Sequence, residues 1–273
     1  MLFFRKSLFL VMPCALILAA CSTTEREIQQ EESVDVLYSR ASQALEDGSY
    51  VEATKYFEEV ERQHPYSEWA TRAQLMAAYS SYEGQNYDEA IVALDRFIEL
   101  HPGHKDVDYA HYLKALSYYE QIADVRRDQD ITMQALRALD TLVKRFPESK
   151  YSRDAVLKMD LAKDHLAGKE MEVGRYYLTR GHVNAAINRF RTVVQNFQTT
   201  THVPEALHRL VESYLILGLE REAMRVAAVL GYNYPGSEWY ERSYALLDEG
   251  QREQIMSDRG IMDRTIESIF TPN

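Results

Sequence analysis

Two histidines and two aspartates lie close together in the sequence, in a spacing that could bind a metal ion. His101-x-x-His104 is followed by Asp106 and Asp108, and imidazole and carboxylate groups are common ligands of Zn²⁺. A metal bound there could activate a water molecule, so one interpretation of the chain is a periplasmic hydrolase. The sequence contains no Gly-x-Ser-x-Gly, no His-Glu-x-x-His and no glycine-rich phosphate loop, so no second catalytic motif supports that interpretation.

A cysteine near the N-terminus could undergo a different reaction, acylation of its thiol. A basic pair precedes thirteen apolar residues at 8–20, and Cys21 follows them directly. Thirteen helical residues span about 20 Å, which is short of the roughly 30 Å hydrocarbon core of a bilayer. The arrangement resembles a bacterial lipobox, so we predict a lipoprotein signal peptide at 1–20 and a covalent lipid on Cys21.

The residues after Cys21 indicate where the lipid anchor places the protein. Ser22 is the residue type that usually directs a lipoprotein to the outer membrane, and residues 21–33 are polar without an apolar period. We therefore expect a flexible tether and a location on the outer membrane of a Gram-negative bacterium, lipid-anchored and facing the periplasm. An ordinary signal peptide that ends near a cysteine is the alternative.

The composition is that of a folded, acidic chain. Of 273 residues, 46% are hydrophobic and 27% are charged, with only 7 prolines and 11 glycines. That shortage of turn-forming residues disfavours an all-β fold. The formal net charge is −11, and it becomes −13 when cleavage of residues 1–20 removes two basic residues. This charge excludes nucleic-acid binding through phosphate contacts, and it leaves the acyl chains to hold the protein at the membrane.

One pattern recurs five times along the body of the chain: an alanine, a bulky residue four positions later, and a proline twelve positions after the alanine. Small residues let two helices approach, the bulky residue fills the groove between them, and proline ends the second helix. The set comprises Ala53/Phe57/Pro65, Ala90/Leu94/Pro102, Ala135/Leu139/Pro147, Ala186/Phe190 with Gln198 in the proline position, and Ala223/Pro235 with Ala227 in the bulky position. Turn residues five positions before each alanine are Gly48, Gln85, Asp130, Gly181 and Gly218.

This period predicts an all-α superhelical solenoid of about five tetratricopeptide-like helix pairs. The first three pairs would occupy 34–150, and the last two would occupy 151–257 with a capping helix near 238–257. A tail would follow at 258–273. The expected pairs are 34–47/50–63, 67–84/87–100, 107–124/131–145, 152–180/183–197 and 203–217/220–233.

The repeat pattern also accounts for the histidines. His101 occupies the position before the proline, where other repeats carry Phe146, Phe197 or Tyr234. Packing at the end of a helix therefore explains His101 better than metal binding, and we predict no metal site and no enzymatic activity.

Several strings, taken in order, resemble the D subunit of the outer-membrane β-barrel assembly machinery. The likeness runs from Cys21 to about residue 235. The strings are LDRFIELHPGH at 94–104, VDYAHY at 107–112, RDQD at 127–130, EVGRYYLTRG at 172–181 and the pair Asn188-Arg189.

This resemblance implies that the N-terminal repeats receive the C-terminal targeting strand of an unfolded outer-membrane protein. An extended peptide that ends in an aromatic residue and a carboxylate suits an aromatic-lined groove with a cation. The residues expected to bind it are Asp95, Arg96, Tyr50, Tyr79, Tyr82, Tyr109 and Tyr112. One position departs from the family, because Glu99 stands where a second cation is common.

The resemblance further implies that the C-terminal repeats dock the periplasmic repeat domain of the central β-barrel subunit. Arg189 matches an arginine that contacts this subunit, and Tyr176 and Arg180 would lie in the same interface. Other implied partners are further assembly lipoproteins and outer-membrane lipid, and the implied cofactors are none apart from the covalent lipid on Cys21. A repeat lipoprotein that coordinates cell-envelope synthesis or division is the alternative function.

Overall fold

The computed structural model describes residues 32–257, and all regular secondary structure within them is α-helical. The predicted signal peptide at 1–20, the lipidated Cys21 with its tether up to residue 31, and the tail at 258–273 lie outside the described residues. The helices are α1 Val34–Glu46, α2 Tyr50–Gln63, α3 Glu68–Glu83, α4 Tyr87–Leu100, α5 Val107–Tyr119, α6 Asp130–Arg145, α7 Ser152–Thr179, α8 Val183–Asn196, α9 Val203–Ile216, α10 Glu220–Asn233, α11 Glu238–Ala245 and α12 Glu249–Ser257. The first ten form the five predicted pairs, and no helix in 32–257 is both long and apolar enough to cross a membrane.

The recurring alanines and bulky residues form the interior of each pair, as the repeat pattern predicts. All five alanines are fully buried, and so are the four large residues Phe57, Leu94, Leu139 and Phe190. Close packing is most evident at Gly174 of α7, where an added Cβ would lie 2.4 Å from Cε1 of Phe190. The residue there has to be glycine because the phenyl ring of the partner helix occupies the space that a side chain would need.

Left-handed backbone makes four of the five turns within the pairs. Gly48, Gly181 and Gly218 have φ of +72°, +77° and +71°, and Gln85 has φ of +60°. Glycine adopts this conformation without steric cost, whereas the Cβ of Gln85 makes the same conformation unfavourable. The third pair differs: Asp130, predicted in the turn, is the first residue of α6.

Two further boundaries differ from the prediction. The capping helix expected near 238–257 is divided into α11 and α12, because Leu247 turns into the core, where its exposure is 2%. Helix α5 was expected to reach residue 124 but ends at Tyr119, since residues 120–129 form a loop that packs on α7. Helix α7 itself runs without interruption through Gly168 and Gly174.

The first four pairs stack so that their first helices touch. Direct contacts join α1 with α3, α3 with α5, and α5 with α7, whereas α2 and α4 make no comparable contact. Closer spacing of the first helices places them on the inner side of the superhelix. The side chains of α3 and α5 therefore line the concave face of the N-terminal repeats.

Candidate functional site

A group of tyrosines lies along the first helices of the second and third pairs. Tyr79 and Tyr82 are on α3, and Tyr109 and Tyr112 are on α5. All four are half-buried, and their phenol groups are close enough to raise one another's pKa. Ring contacts add two neighbours: Tyr82 to Tyr87 at 5.7 Å, Tyr109 to Tyr151 at 5.3 Å, and Tyr112 stacked on Tyr151 at 4.8 Å. These six residues are called the tyrosine face.

The structure thus brings together four of the five tyrosines that the sequence singled out. The fifth, Tyr50, is the first residue of α2. Its Cβ is so close to Gly84, just after α3, that a Cβ added to that glycine would lie only 3.0 Å away. Tyr50 therefore flanks the tyrosine face at the C-terminal end of α3.

Burial keeps the phenols of Tyr82, Tyr109 and Tyr112 protonated. It is the largest cause that raises the pKa of Tyr82 to about 12, with the carboxylate of Glu120 next. Burial also raises the pKa of Tyr109 and of Tyr112. A surface of neutral phenols offers ring faces for stacking and hydroxyls for hydrogen bonds at any physiological pH.

One member of the tyrosine face is held by an acidic partner. The hydroxyl of Tyr112 donates to Oδ2 of Asp154 at 2.6 Å, and Nζ of Lys158 lies 2.7 Å from the same oxygen. Hydrogen bonds from Lys158 and then from Tyr112 lower the pKa of Asp154. The carboxylate of Asp154 therefore neutralises the charge of Lys158, which does not offer a free cation to a ligand.

The predicted cation, Arg96, lies in another part of the N-terminal repeats. Its guanidinium pairs with Glu61, and the same carboxylate oxygen accepts from Nε2 of Gln74 at 2.8 Å. Arg96 and Glu61 line a cleft of about 480 Å³ between α2 and α4 whose lining includes none of the five predicted tyrosines. Asp95, next in the chain, pairs with Lys114 of α5.

The histidines once considered as metal ligands take part in packing. Nε2 of His101 lies 2.8 Å from Oε1 of Gln74, and its ring centroid is 5.2 Å from that of Phe97. Burial lowers the pKa of His101. His104 packs its ring against Phe97 at 5.4 Å and accepts the backbone N–H of Asp106. Within residues 32–257 no group of three or more histidine, cysteine, aspartate or glutamate side chains is placed to hold a metal ion.

The three residues predicted to meet a partner subunit lie on the hairpin of α7 and α8. Tyr176 is 56% exposed, and the guanidinium of Arg180 lies 5.4 Å from the centre of its ring. Nη1 of Arg189 on α8 is 3.1 Å from Oε2 of Glu170 on α7. The hairpin thus presents an exposed aromatic ring and two arginines on one element.

A cleft that the sequence did not predict lies beside Glu170. Its volume is about 500 Å³, and its walls are the loop before α6 together with parts of α6, α7 and α8. Lys169 holds the loop by donating to the backbone oxygens of Arg126 and Arg127 at 2.9 and 3.2 Å. Residues 127–130, which carry part of the family resemblance, are therefore held in place by α7. No pattern in the sequence indicated this contact with Lys169.

Comparison with known proteins agrees with this architecture. Residues 30–230 match the family YfiO, described as "Outer membrane lipoprotein". Among its relatives, "Outer membrane protein assembly factor BamD" of Caulobacter vibrioides is 53% identical over 84% of this chain and 75% of that protein. The protein of the same name from Rickettsia prowazekii is 44% identical and covers 90% of this chain and 98% of its own. The one from Neisseria meningitidis serogroup B is 36% identical, with 88% and 95% covered.

Proposed function

Because this chain belongs to the outer membrane lipoprotein family YfiO, we propose that it acts as an outer membrane protein assembly factor. The observation that carries the proposal is the 53% identity, over 84% of the chain, to a relative that bears this name. Two further relatives of that name are matched over 98% and 95% of their own lengths. The proposal therefore concerns the whole repeat array and not a single repeat.

In this function the chain is a scaffold that holds two partners at once. The tyrosine face would take an extended segment of an unfolded outer-membrane protein, because stacked, protonated phenols bind aromatic side chains and peptide groups. The hairpin of α7 and α8 would dock the periplasmic repeat domain of the central β-barrel subunit. Further assembly lipoproteins would complete the complex.

A covalent lipid on Cys21 would hold the scaffold on the periplasmic side of the outer membrane. The family description as outer membrane lipoproteins supports this placement. Several acyl chains, at about 0.8 kcal/mol per buried CH₂, would make the attachment effectively permanent.

The work of such a scaffold needs no bond-making chemistry. We expect no cofactor beyond the lipid, and the histidines that suggested a metal centre already serve to close the end of α4. A metal analysis of the purified protein tests this point, and stoichiometric zinc would restore the hydrolase interpretation.

Affinity purification from detergent-solubilised envelopes tests the function directly. The tagged full-length protein should recover a large β-barrel protein with periplasmic repeat domains. Recovery of cell-wall synthases alone would contradict the proposal and favour a scaffold for envelope synthesis or division.

The docking role of Arg189 can be tested with charge-matched variants. Arg189→Glu should reduce recovery of the barrel subunit at least about tenfold, because reversal of an interfacial charge creates repulsion. Arg221→Glu, an equal change at an exposed residue of α10, should leave recovery unchanged. Equal recovery with both variants would remove Arg189 from the interface.

A further inference from the structure

The C-terminal ends of the first helices differ in charge between the two halves of the array. Glutamates end the first three: Glu46 is the last residue of α1, Glu83 is the last of α3, and Glu120 caps α5. They recur every 37 residues. The corresponding residues of α7 and α9 are Thr179 and Ile216.

These glutamates occupy positions that the helices themselves disfavour. The C-terminal end of a helix carries the negative end of its dipole, so a carboxylate there is repelled and a cation is attracted. Neither Glu83 nor Glu120 forms an ion pair within the described part of the chain. The N-terminal half therefore presents unneutralised negative charge along one edge of its inner side.

This negative charge acts on the tyrosine face. After burial, the carboxylate of Glu120 is the next cause that raises the pKa of Tyr82 and of Tyr87. Glu83 raises the pKa of Tyr79 and contributes at Tyr109 on the neighbouring helix. Two lysines lie near this region: Lys158 is already paired with Asp154, and Nζ of Lys150 lies 4.9 Å from the centre of the Tyr151 ring.

We propose that the tyrosine face binds an extended polypeptide segment that carries lysine or arginine side chains between its aromatic ones. Phenol rings pack against aromatic side chains, and their ring faces also attract the cationic groups of lysine and arginine. Glu83 and Glu120 attract the cations and repel a segment with carboxylates at the same positions. A free terminal carboxylate is therefore disfavoured beside Glu83 and Glu120, and the predicted partner of that carboxylate, Arg96, lies in a different cleft.

This inference rests on the proposed function, since the segment is taken to belong to an unfolded outer-membrane protein. It is tested with three synthetic, fluorescently labelled peptides in which phenylalanine alternates with lysine, with glutamine or with glutamate. Binding to the full-length protein in detergent is measured by fluorescence anisotropy at low and high salt.

The lysine peptide should bind about tenfold more tightly than the glutamate peptide, with the glutamine peptide between them, and the difference should shrink in high salt. In the double variant Glu83→Gln/Glu120→Gln the preference should fall to about twofold or less. The control Glu220→Gln/Glu241→Gln removes equal charge from exposed positions of α10 and α11 and should keep the preference.

The peptides separate this inference from the proposed function. Equal binding of all three peptides, or a preference that survives in Glu83→Gln/Glu120→Gln, overturns the charge selectivity and leaves client binding intact. If none of the three peptides binds, client recognition by the tyrosine face is itself wrong. Preference for the glutamate peptide would reverse the proposal.

Discussion

The two halves of the array bury their apolar residues in different ways. In the N-terminal half the core is divided into three clusters, which lie between α1 and α3, between α3 and α5, and between α5 and α7. In the C-terminal half a single cluster extends from α7 to Leu247. Partly buried tyrosines pack against the clusters of both halves, and Val, Leu and Ile make up most of the buried C-terminal core.

This difference suits the two roles that we propose. Small separate clusters let neighbouring pairs adjust to an extended ligand of varied sequence, because each interface is only locally cooperative. One continuous core makes a firm support for a folded partner. Helix α7 joins both halves, since Ala155 belongs to the last N-terminal cluster and Met171 belongs to the C-terminal core.

The largest effect should come from truncating the matched phenylalanines of the two halves. Phe57→Ala and Phe190→Ala should each lower the free energy of unfolding by about 3–5 kcal/mol, because both rings are fully buried. Hydrogen exchange should show lost protection across α7 to α11 for Phe190→Ala but only across α1 to α3 for Phe57→Ala. Equally local losses in the two variants would contradict the difference in core continuity.

A smaller loss should follow from adding one methyl group at the tightest contact of the C-terminal half. Gly174→Ala should cost about 1–3 kcal/mol, since the new Cβ would overlap the ring of Phe190. Gly103→Ala is the control, because nothing lies within 4 Å of a Cβ there. Thermal unfolding compares the two, and matching melting temperatures would mean that α7 and α8 separate more easily than a tight core permits.

Helix caps provide a comparison in which the two halves should behave alike. The hydroxyls of Ser67 and Ser237 accept backbone N–H groups of α3 and α11 at 3.1 and 3.2 Å. Ser67→Ala and Ser237→Ala should each cost about 1 kcal/mol in denaturant unfolding. Ser49→Ala, at a cap without such a bond, should lower the free energy of unfolding by only about 0.3 kcal/mol. A cost at Ser49 equal to the others would show that these bonds are not the cause.

The smallest effect concerns acid. Burial lowers the pKa of His208 and of His101 below 6.5, so the unfolded chain binds protons more readily than the folded one. Stability should be full above pH 6.5 and should fall as the pH drops toward the folded pKa. His208→Asn should flatten this dependence of the melting temperature more than His101→Asn, because His208 is more deeply buried. Equal slopes in both variants would contradict this.

Much of the fold could be predicted because the repeats carry a period. The alanines and bulky residues that recur along the chain are the buried ones, and the predicted helix pairs agree closely with α1 to α10. The repeat period did not predict the end of α5 or the division of the capping helix. Residues 120–129 and the break at Leu247 depend on contacts with distant helices.

The candidate site could be predicted only in part. The tyrosines were singled out because the first three repeats supply them to a groove that suits an aromatic-ended peptide, and four of them do lie together. The partner of Arg96 could not be foreseen, since Glu61 is 35 residues away and reaches it only when α2 and α4 both pack on α3. Nor did the sequence by itself link the glutamates to the tyrosines.

What the sequence alone determined is the architecture: the repeat period, the buried face of each helix and the positions of the left-handed turns. These follow from local sterics and from hydrophobic spacing, which act within a few residues. Tertiary structure decided which charges are neutralised and which remain. Arg96 acquires its partner Glu61 only when helices pack, while Glu83 and Glu120 have no ion-pair partner among the described residues. Pairing of this kind depends on distances between elements that no local pattern records.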